Sequence, residues 1–284
     1  MLEAKVINLD DYVYAGEGAV GKSYNKKDNP ALMLKMFNAD APQESSIREL
    51  EMARKVFNAG IPTPQPGEYV TDGNGSYGIQ FERIVGKKSY SRATSDDFSN
   101  VEKYGREFGQ LCKELHNIHL EKDYTVDVKD KYRQFLADNQ FFTDEEKEKV
   151  AAFISSVPDS DIANHGDLQF SNAIRVESED GSEVAKYFID LGDFAMGHPY
   201  FDLGQVLLCC MYEDEEFSQT TFHLTCAQAA EFWRWFVKGY WGDDADPDEW
   251  EKIIKPFAGL KVLLIQHYFP VPFPQYKKIL LDNI

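Results

Sequence analysis

The run His165-Gly166-Asp167-Leu168-Gln169-Phe170-Ser171-Asn172 sets a carboxylate and an amide in one short loop. A second carboxylate, Asp190, closes the apolar run Tyr187-Phe188-Ile189, eighteen positions beyond Asn172 (190 minus 172). This set suits phosphoryl transfer. Asp167 could accept a proton from an attacking hydroxyl, while Asn172 and Asp190 hold magnesium on a triphosphate. Two oxygen ligands fit a hard ion that keeps several of its waters. Either piece alone is also an ordinary polar turn or strand end, so the surrounding elements have to decide.

Ala173-Ile174-Arg175-Val176 and Val184 to Ile189 read as strands around the polar loop Glu177 to Glu183, a hairpin that brings Asp190 back toward Asn172. Nearer the N-terminus, short apolar bursts from Val6 to Phe37 are separated by Gly, Asp and Asn, which fits strands better than helices. Gly16-Glu17-Gly18-Ala19-Val20-Gly21-Lys22-Ser23 formally matches the Walker A pattern. That loop should open into an amphipathic helix, but polar, turn-broken Tyr24 to Pro30 follows it. A glycine-rich hairpin folded over phosphates is the better reading, with Gly16, Gly18 and Gly21 allowing close backbone approach. Lys22 is then dispensable.

Lys35 lies between Leu34 and Met36 and should point to the opposite face of the sheet. A lysine there is either a phosphate clamp or an exposed edge charge. The spacing of Ile47, Leu50, Arg54 and Phe57 predicts a helix from about Ser46 to Ala59, ended by Gly60-Ile61-Pro62. It offers Lys35 two carboxylates, Glu49 and Glu51. Strands are expected at Gly67 to Val70 and Tyr77 to Phe81, and the segment after them could be a hinge whose backbone near Glu82 to Ile84 meets adenine.

From Ser99 onward the periodicity is helical. Tyr104, Phe108, Leu111, Leu115 and Ile118 trace one apolar face through Val101 to His119. Helices are expected at Asp130 to Asn139 and at Asp144 to Val157, the latter capped by Thr143. His116 and His119 lack a third ligand and read as core or cap residues. Asp202, opening the apolar helix after it, should cap that helix or brace the central loop through backbone hydrogen bonds. The aromatic residues of the last third read mainly as helical core.

The chain of 284 residues has 48 acidic and 30 basic side chains, a net charge of −18. That excess argues against non-specific binding to nucleic acid or an anionic membrane. The four cysteines lack metal-site spacing and read as reduced core thiols. Neither a signal peptide nor an apolar run of about 18 residues is present, so a cytoplasmic location is the expectation.

The order of these elements resembles the aminoglycoside phosphotransferase and choline kinase superfamily, over roughly residues 10 to 210. Its most specific part is His165 to Asn172 followed by Ile189-Asp190-Leu191-Gly192, supported by Lys35, the glycine hairpin, Gly60 to Pro64 and Leu115-His116. The resemblance implies an α+β, bilobal protein kinase-like fold. A small antiparallel-sheet lobe that binds nucleotide should span residues 1–85, and a mostly helical catalytic and acceptor-binding lobe residues 86–284. It also implies ATP and magnesium as cofactors, Asp167 as the base, Asn172 and Asp190 as magnesium ligands, and Lys35 on the α and β phosphates. Glu51 is the preferred partner of Lys35 in that arrangement. Gly166 stands where protein kinases carry Arg, and Asp202-Leu203 follows Asp190 closely, leaving out a long activation segment. Both departures favour a small-molecule hydroxyl acceptor. A protein kinase and a catalytically silent nucleotide-binding regulator are the alternatives.

Overall fold

Turn residues cut the first eighty positions into strands too short to be stable singly, so they pair into a sheet. The computed structural model describes residues 3–18, 21–178 and 184–284. The first elements are β1 (Lys5–Val6), β2 (Tyr12–Gly18), β3 (Gly21–Lys26), β4 (Leu32–Phe37), α1 (Gln43–Asn58), β5 (Pro66–Thr71) and β6 (Tyr77–Glu82). The strands form one sheet in the order β1-β5-β6-β4-β3-β2. Neighbours are antiparallel except at the edge, where β1 runs parallel to β5.

The pleat gives this sheet two cores. Leu34 and Met36 pack with Tyr12 and Val70 on one face, whereas Phe37 packs with Tyr69, Ile79 and Leu50 of α1 on the other. Lys35, between Leu34 and Met36, therefore faces the side that α1 covers. α1 begins three residues ahead of the expected start: the Ser46 hydroxyl, instead of capping it, turns inward to the Tyr69 hydroxyl at 2.8 Å.

The chain continues through β7 (Lys88–Ser89), α2 (Tyr90–Asp96), α3 (Val101–Leu115), α4 (Val128–Asp138), α5 (Asp144–Ser156), β8 (Ala163–Asn164), β9 (Ala173–Glu177), β10 (Val184–Phe188) and β11 (Ala195–Met196). It ends with α6 (Tyr200–Met211), α7 (Glu215–Phe217), α8 (Cys226–Trp241), α9 (Pro247–Leu260), α10 (Val262–Tyr268) and α11 (Pro274–Leu281). α3 stops four residues short of His119, which instead forms an isolated bridge with Ile162 and a hydrogen bond with Asp161 at 2.7 Å. Thr143 caps α5 in a reciprocal capping box with Glu146.

Two compact units result. One holds the residues up to Lys87 together with Arg175–Gly192; the other holds Lys88–Ile174 and Asp193–Ile284. The division thus falls two residues beyond the expected cut at 85/86, and residues 175–192 return to the first unit. There the Phe188 N–H donates to the Pro62 carbonyl at 2.8 Å. Residues 179–183 of the expected hairpin loop lie outside the described residues.

In the second unit α3 crosses α8 closely. A Cβ on Gly109 would come within 2.4 Å of the Phe236 carbonyl oxygen, and one on Gly239 within 2.4 Å of that of Arg106. Glycine at both positions lets the backbones touch. Phe108, Phe232, Phe236 and Phe170 then fill the space between, with Phe108 and Phe236 ring centroids 5.4 Å apart. Cys112, Cys209 and Cys210 are buried, Cys226 is half-buried, and all four are free thiols.

Candidate active site

The first unit carries a paired lysine. Lys35 Nζ donates to Glu49 Oε1 at 2.6 Å, with both side chains about one-fifth exposed (20% and 23%). Glu51, the partner expected from sequence, is exposed and is not the one engaged. Helical phase is the reason. Glu49 lies three residues after buried Ser46 and seven before buried Val56, on the face turned to the sheet, while Glu51 sits about 200° further round.

The glycine run opens into β3, not into a helix, and Lys22 is exposed on that strand opposite Met36. Gly21 is obligatory at its place, because a Cβ there would meet the Met36 carbonyl oxygen at 2.2 Å. Gly16 and Gly18 have nothing within 4 Å of a Cβ position, open space that a phosphate chain could fill. Ala19 and Val20, at the tip of the run, lie outside the described residues.

Beyond β6, the Glu82 N–H donates to the Gln65 carbonyl (2.9 Å) and the Arg83 N–H to that of Ala31 (2.8 Å). Asp190 also belongs to the first unit. It is exposed and has φ +61°, a left-handed conformation uncommon outside glycine and seen more often at functional positions than elsewhere.

In the second unit, alternation builds the loop. Leu168 and Phe170 are fully buried, Phe170 lying 4.5 Å from the Phe222 ring and 5.1 Å from that of Phe232. The residues that alternate with them, Asp167 and Gln169, are turned partly outward. Gln169 Nε2 donates to Asp167 Oδ2 at 3.1 Å, and Asn172 Nδ2 donates to the same oxygen at 3.0 Å and to the Asp167 carbonyl at 3.1 Å. With its NH₂ group directed at Asp167, Asn172 keeps its amide oxygen as the group a hard cation would meet.

Asp202 braces the loop from α6. Its Oδ2 accepts from the His165 N–H at 2.6 Å and its Oδ1 from the Gly166 N–H at 2.8 Å. His116 Nε2 lies 3.2 Å from the same carboxylate, and Tyr240 completes the ring's other nitrogen at 2.8 Å. His116 is thus committed to hydrogen bonding inside the core. Burial raises the Asp202 carboxyl, but the hydrogen bond and charge of His116, with Lys261 and His165 beyond, outweigh it and hold the carboxyl below its ordinary value.

The Asp202 brace is readable in sequence as an acid opening an apolar helix. Lys261, His116 as its partner, and Asp193 are not assigned by that reading. Asp193 accepts from Lys131 at 2.7 Å and from the Tyr268 hydroxyl at 2.9 Å. Burial raises its carboxyl, and Lys131, by charge and hydrogen bond, with Tyr268 and Lys261, brings it below the ordinary range.

Gly166 has φ +90°, and a Cβ there would stand 2.1 Å from the Asp193 carbonyl oxygen. Gly166→Ala is expected to destabilise the second unit by about 2–5 kcal/mol, combining left-handed strain with an unavoidable clash. Gly192→Ala, where nothing lies within 4 Å, should stay within about 0.5 kcal/mol of the parent. Urea midpoints of the two variants measure the contrast, and equal midpoints would reject the packing argument.

A sheet-rich unit with a paired lysine on its central strand, and a helical unit with a braced Asp-containing loop, make up a protein kinase-like fold. Solved structures agree at that level. An amicoumacin kinase in complex with AMP-PNP, calcium and amicoumacin superposes with a TM-score of 0.57 at 14% identity, covering 99% of this chain and 88% of the other. The ADP-bound aminoglycoside phosphotransferase APH(2'')-Ib gives 0.58 at 19%, covering 95% and 91%. A choline/ethanolamine kinase family protein from Mesorhizobium loti gives 0.54 at 15%, covering 95% and 85%. No curated protein sequence matches. The model of the phosphotransferase enzyme family, however, matches residues 17–236, and the chain belongs to that family. Among the described residues no helix is long and apolar enough to cross a membrane.

Proposed function

We propose that the protein is an ATP- and magnesium-dependent kinase that transfers the γ phosphate to a hydroxyl of a small molecule such as an aminoglycoside, a choline-like amino alcohol or a sugar. The observation that carries this reading is the loop itself: in a phosphotransferase family member, Asp167 is turned outward on a loop that Asp202 braces and is held by Gln169 and Asn172. Magnesium on the triphosphate would neutralise charge and draw electrons toward the leaving oxygen.

The chain's residues then have distinct tasks. Asp167 orients the acceptor hydroxyl and takes its proton. Asn172 and Asp190 offer oxygen to the cation, a donor set that fits magnesium. Gly16, Gly18 and Gly21 let the hairpin backbone approach the phosphates, Lys35 draws the α and β phosphates together, and Glu82 to Ile84 offer backbone to the adenine. The first unit in this reading binds nucleotide, and the second supplies the base and the acceptor site. α6 starts at Tyr200, ten positions after Asp190, which leaves little chain for docking a polypeptide and favours a small acceptor.

The test is consumption of magnesium-ATP across a pooled library of sugars, amino alcohols and aminoglycosides, with mass detection of an added phosphate. Phosphate on a library member supports the proposal. Phosphate on polypeptides and on no library member would support a protein kinase instead, and nucleotide binding without turnover a silent regulator.

Glu49 offers a narrower check. Glu49→Gln is expected to weaken binding of magnesium-ATP roughly two- to fivefold, the magnitude of a partly exposed pair losing its charge, whereas Glu51→Gln leaves it unchanged. Titration calorimetry on both variants reads this, and equal effects would remove Glu49 from the nucleotide site.

A further inference from the structure

One buried cation in the second unit has no part in the chemistry above. Lys261 sits at the junction of α9 and α10 with 1% of its surface exposed. Its Nζ donates to the Gly166 carbonyl oxygen at 3.1 Å and lies 5.6 Å from the centroid of the Tyr132 ring. A junction between two helices packed in hydrocarbon is filled more favourably by Leu or Met, so a charge held there calls for a reason.

Gly166 supplies it. The close approach of the Asp193 carbonyl admits only glycine, and glycine is the residue whose two backbone dihedrals are least restricted. A soft residue thus stands immediately before Asp167. The surrounding structure removes that freedom from outside the loop. Asp202 holds the N–H of Gly166 at 2.8 Å, and Lys261 holds its carbonyl. The next N–H, that of Asp167, donates to the His165 ring at 3.3 Å, so the peptide joining Gly166 to Asp167 is held at its oxygen and at its hydrogen. Rotation of that peptide would swing Asp167 away from Gln169 and Asn172.

We propose that Lys261 is a positioning residue: its ammonium, without touching substrate, fixes the Gly166–Asp167 peptide and thereby the direction of the Asp167 carboxylate. A charged donor does this better than a neutral one, because charge-assisted hydrogen bonds are about twice as strong. Burial lowers the pKa of the Lys261 ammonium, and the negative charges of Asp202, Asp167 and Asp193 offset part of that cost. Its kinetic consequence rests on the reading of Asp167 as the proton acceptor; its structural consequence does not.

The test uses Lys261→Met, Lys261→Gln and Lys261→Arg in the full chain. Hydrogen exchange of the peptide spanning residues 165–172 should quicken roughly tenfold or more in Lys261→Met, with α3 and α8 unchanged. Turnover of magnesium-ATP, with the acceptor found in the library or with water, should fall roughly 100-fold while nucleotide affinity stays within about twofold. Lys261→Gln should fall between Met and the parent, and Lys261→Arg closest to the parent. In an Asp167→Asn background, Lys261→Met should cost little more. Unchanged loop exchange, exchange rising evenly across the unit, or an undiminished cost in the Asp167→Asn background overturns the proposal. Should Lys261→Met not fold, equal loop protection in the Gln and Arg variants overturns it equally. A parent protein that turns over no ATP defeats the kinase reading alone, and the loop exchange still decides the role of Lys261.

Discussion

Asp167→Asn is expected to lower turnover by about 10²–10⁴-fold, the span associated with losing a general base. Nucleotide affinity should stay within about twofold, because the substitution removes no group assigned to phosphate or metal. The change is nearly isosteric. An amide oxygen can still accept from Gln169 and Asn172, whose donors converge on Oδ2 at 3.1 and 3.0 Å, so the loop should keep its shape. What the amide cannot do is take a proton as the hydroxyl attacks. Steady-state turnover together with calorimetric titration of magnesium-ATP separates the two effects. A variant that turns over at the parent rate removes Asp167 from its role; one that loses affinity and turnover together shows that the carboxylate holds the nucleotide complex instead.

The loop was legible in sequence because its information is local. Leu168 and Phe170 alternate with Asp167 and Gln169, and the two apolar side chains alone decide which residues turn outward. The partner of Lys35 was not, although both candidates were in view. Glu51 is preferred only through the resemblance, and the face traced by Ile47, Leu50, Arg54 and Phe57 does not by itself choose between the two: Phe57 is 38% exposed, while polar Ser46 is buried through its bond to Tyr69. A satisfied hydroxyl can enter a core, and hydropathy alone does not see it.

Distance along the chain hid the rest. His116 meets Asp202 across 86 positions and Tyr240 across 124, and Lys261 reaches Gly166 across 95. Pairings so far apart leave no periodicity to find. Lys261 did carry a weak sign, since it interrupts the apolar run from Phe257 to Leu264. The return of Arg175–Gly192 to the first unit is likewise a tertiary choice, made by contacts such as that of the Phe188 N–H with the Pro62 carbonyl.

Asp202→Ala should have the largest effect on stability, about 3–5 kcal/mol, because it strips a buried charge from partners that stay behind. Two backbone N–H groups of the loop and the His116 ring lose their acceptor, and buried Lys261 loses a compensating carboxylate. Asp202→Asn keeps an acceptor and should cost less, and it isolates the charge through pH. The folded-state carboxyl is held below its ordinary value, so the stability it contributes is complete above the unfolded-state value near 4 and is lost as pH falls through the folded one. The gap in urea midpoint between parent and Asp202→Asn should therefore hold constant from pH 7 to about 5 and narrow only below about 4. A gap that widens as pH falls from 6 towards 4 would overturn that sign, and one still constant at pH 3 would mean that the anion adds nothing an amide lacks. If the brace also aims the base, turnover in Asp202→Asn falls at pH 7 where the variant is still fully folded, which stability loss by itself does not produce.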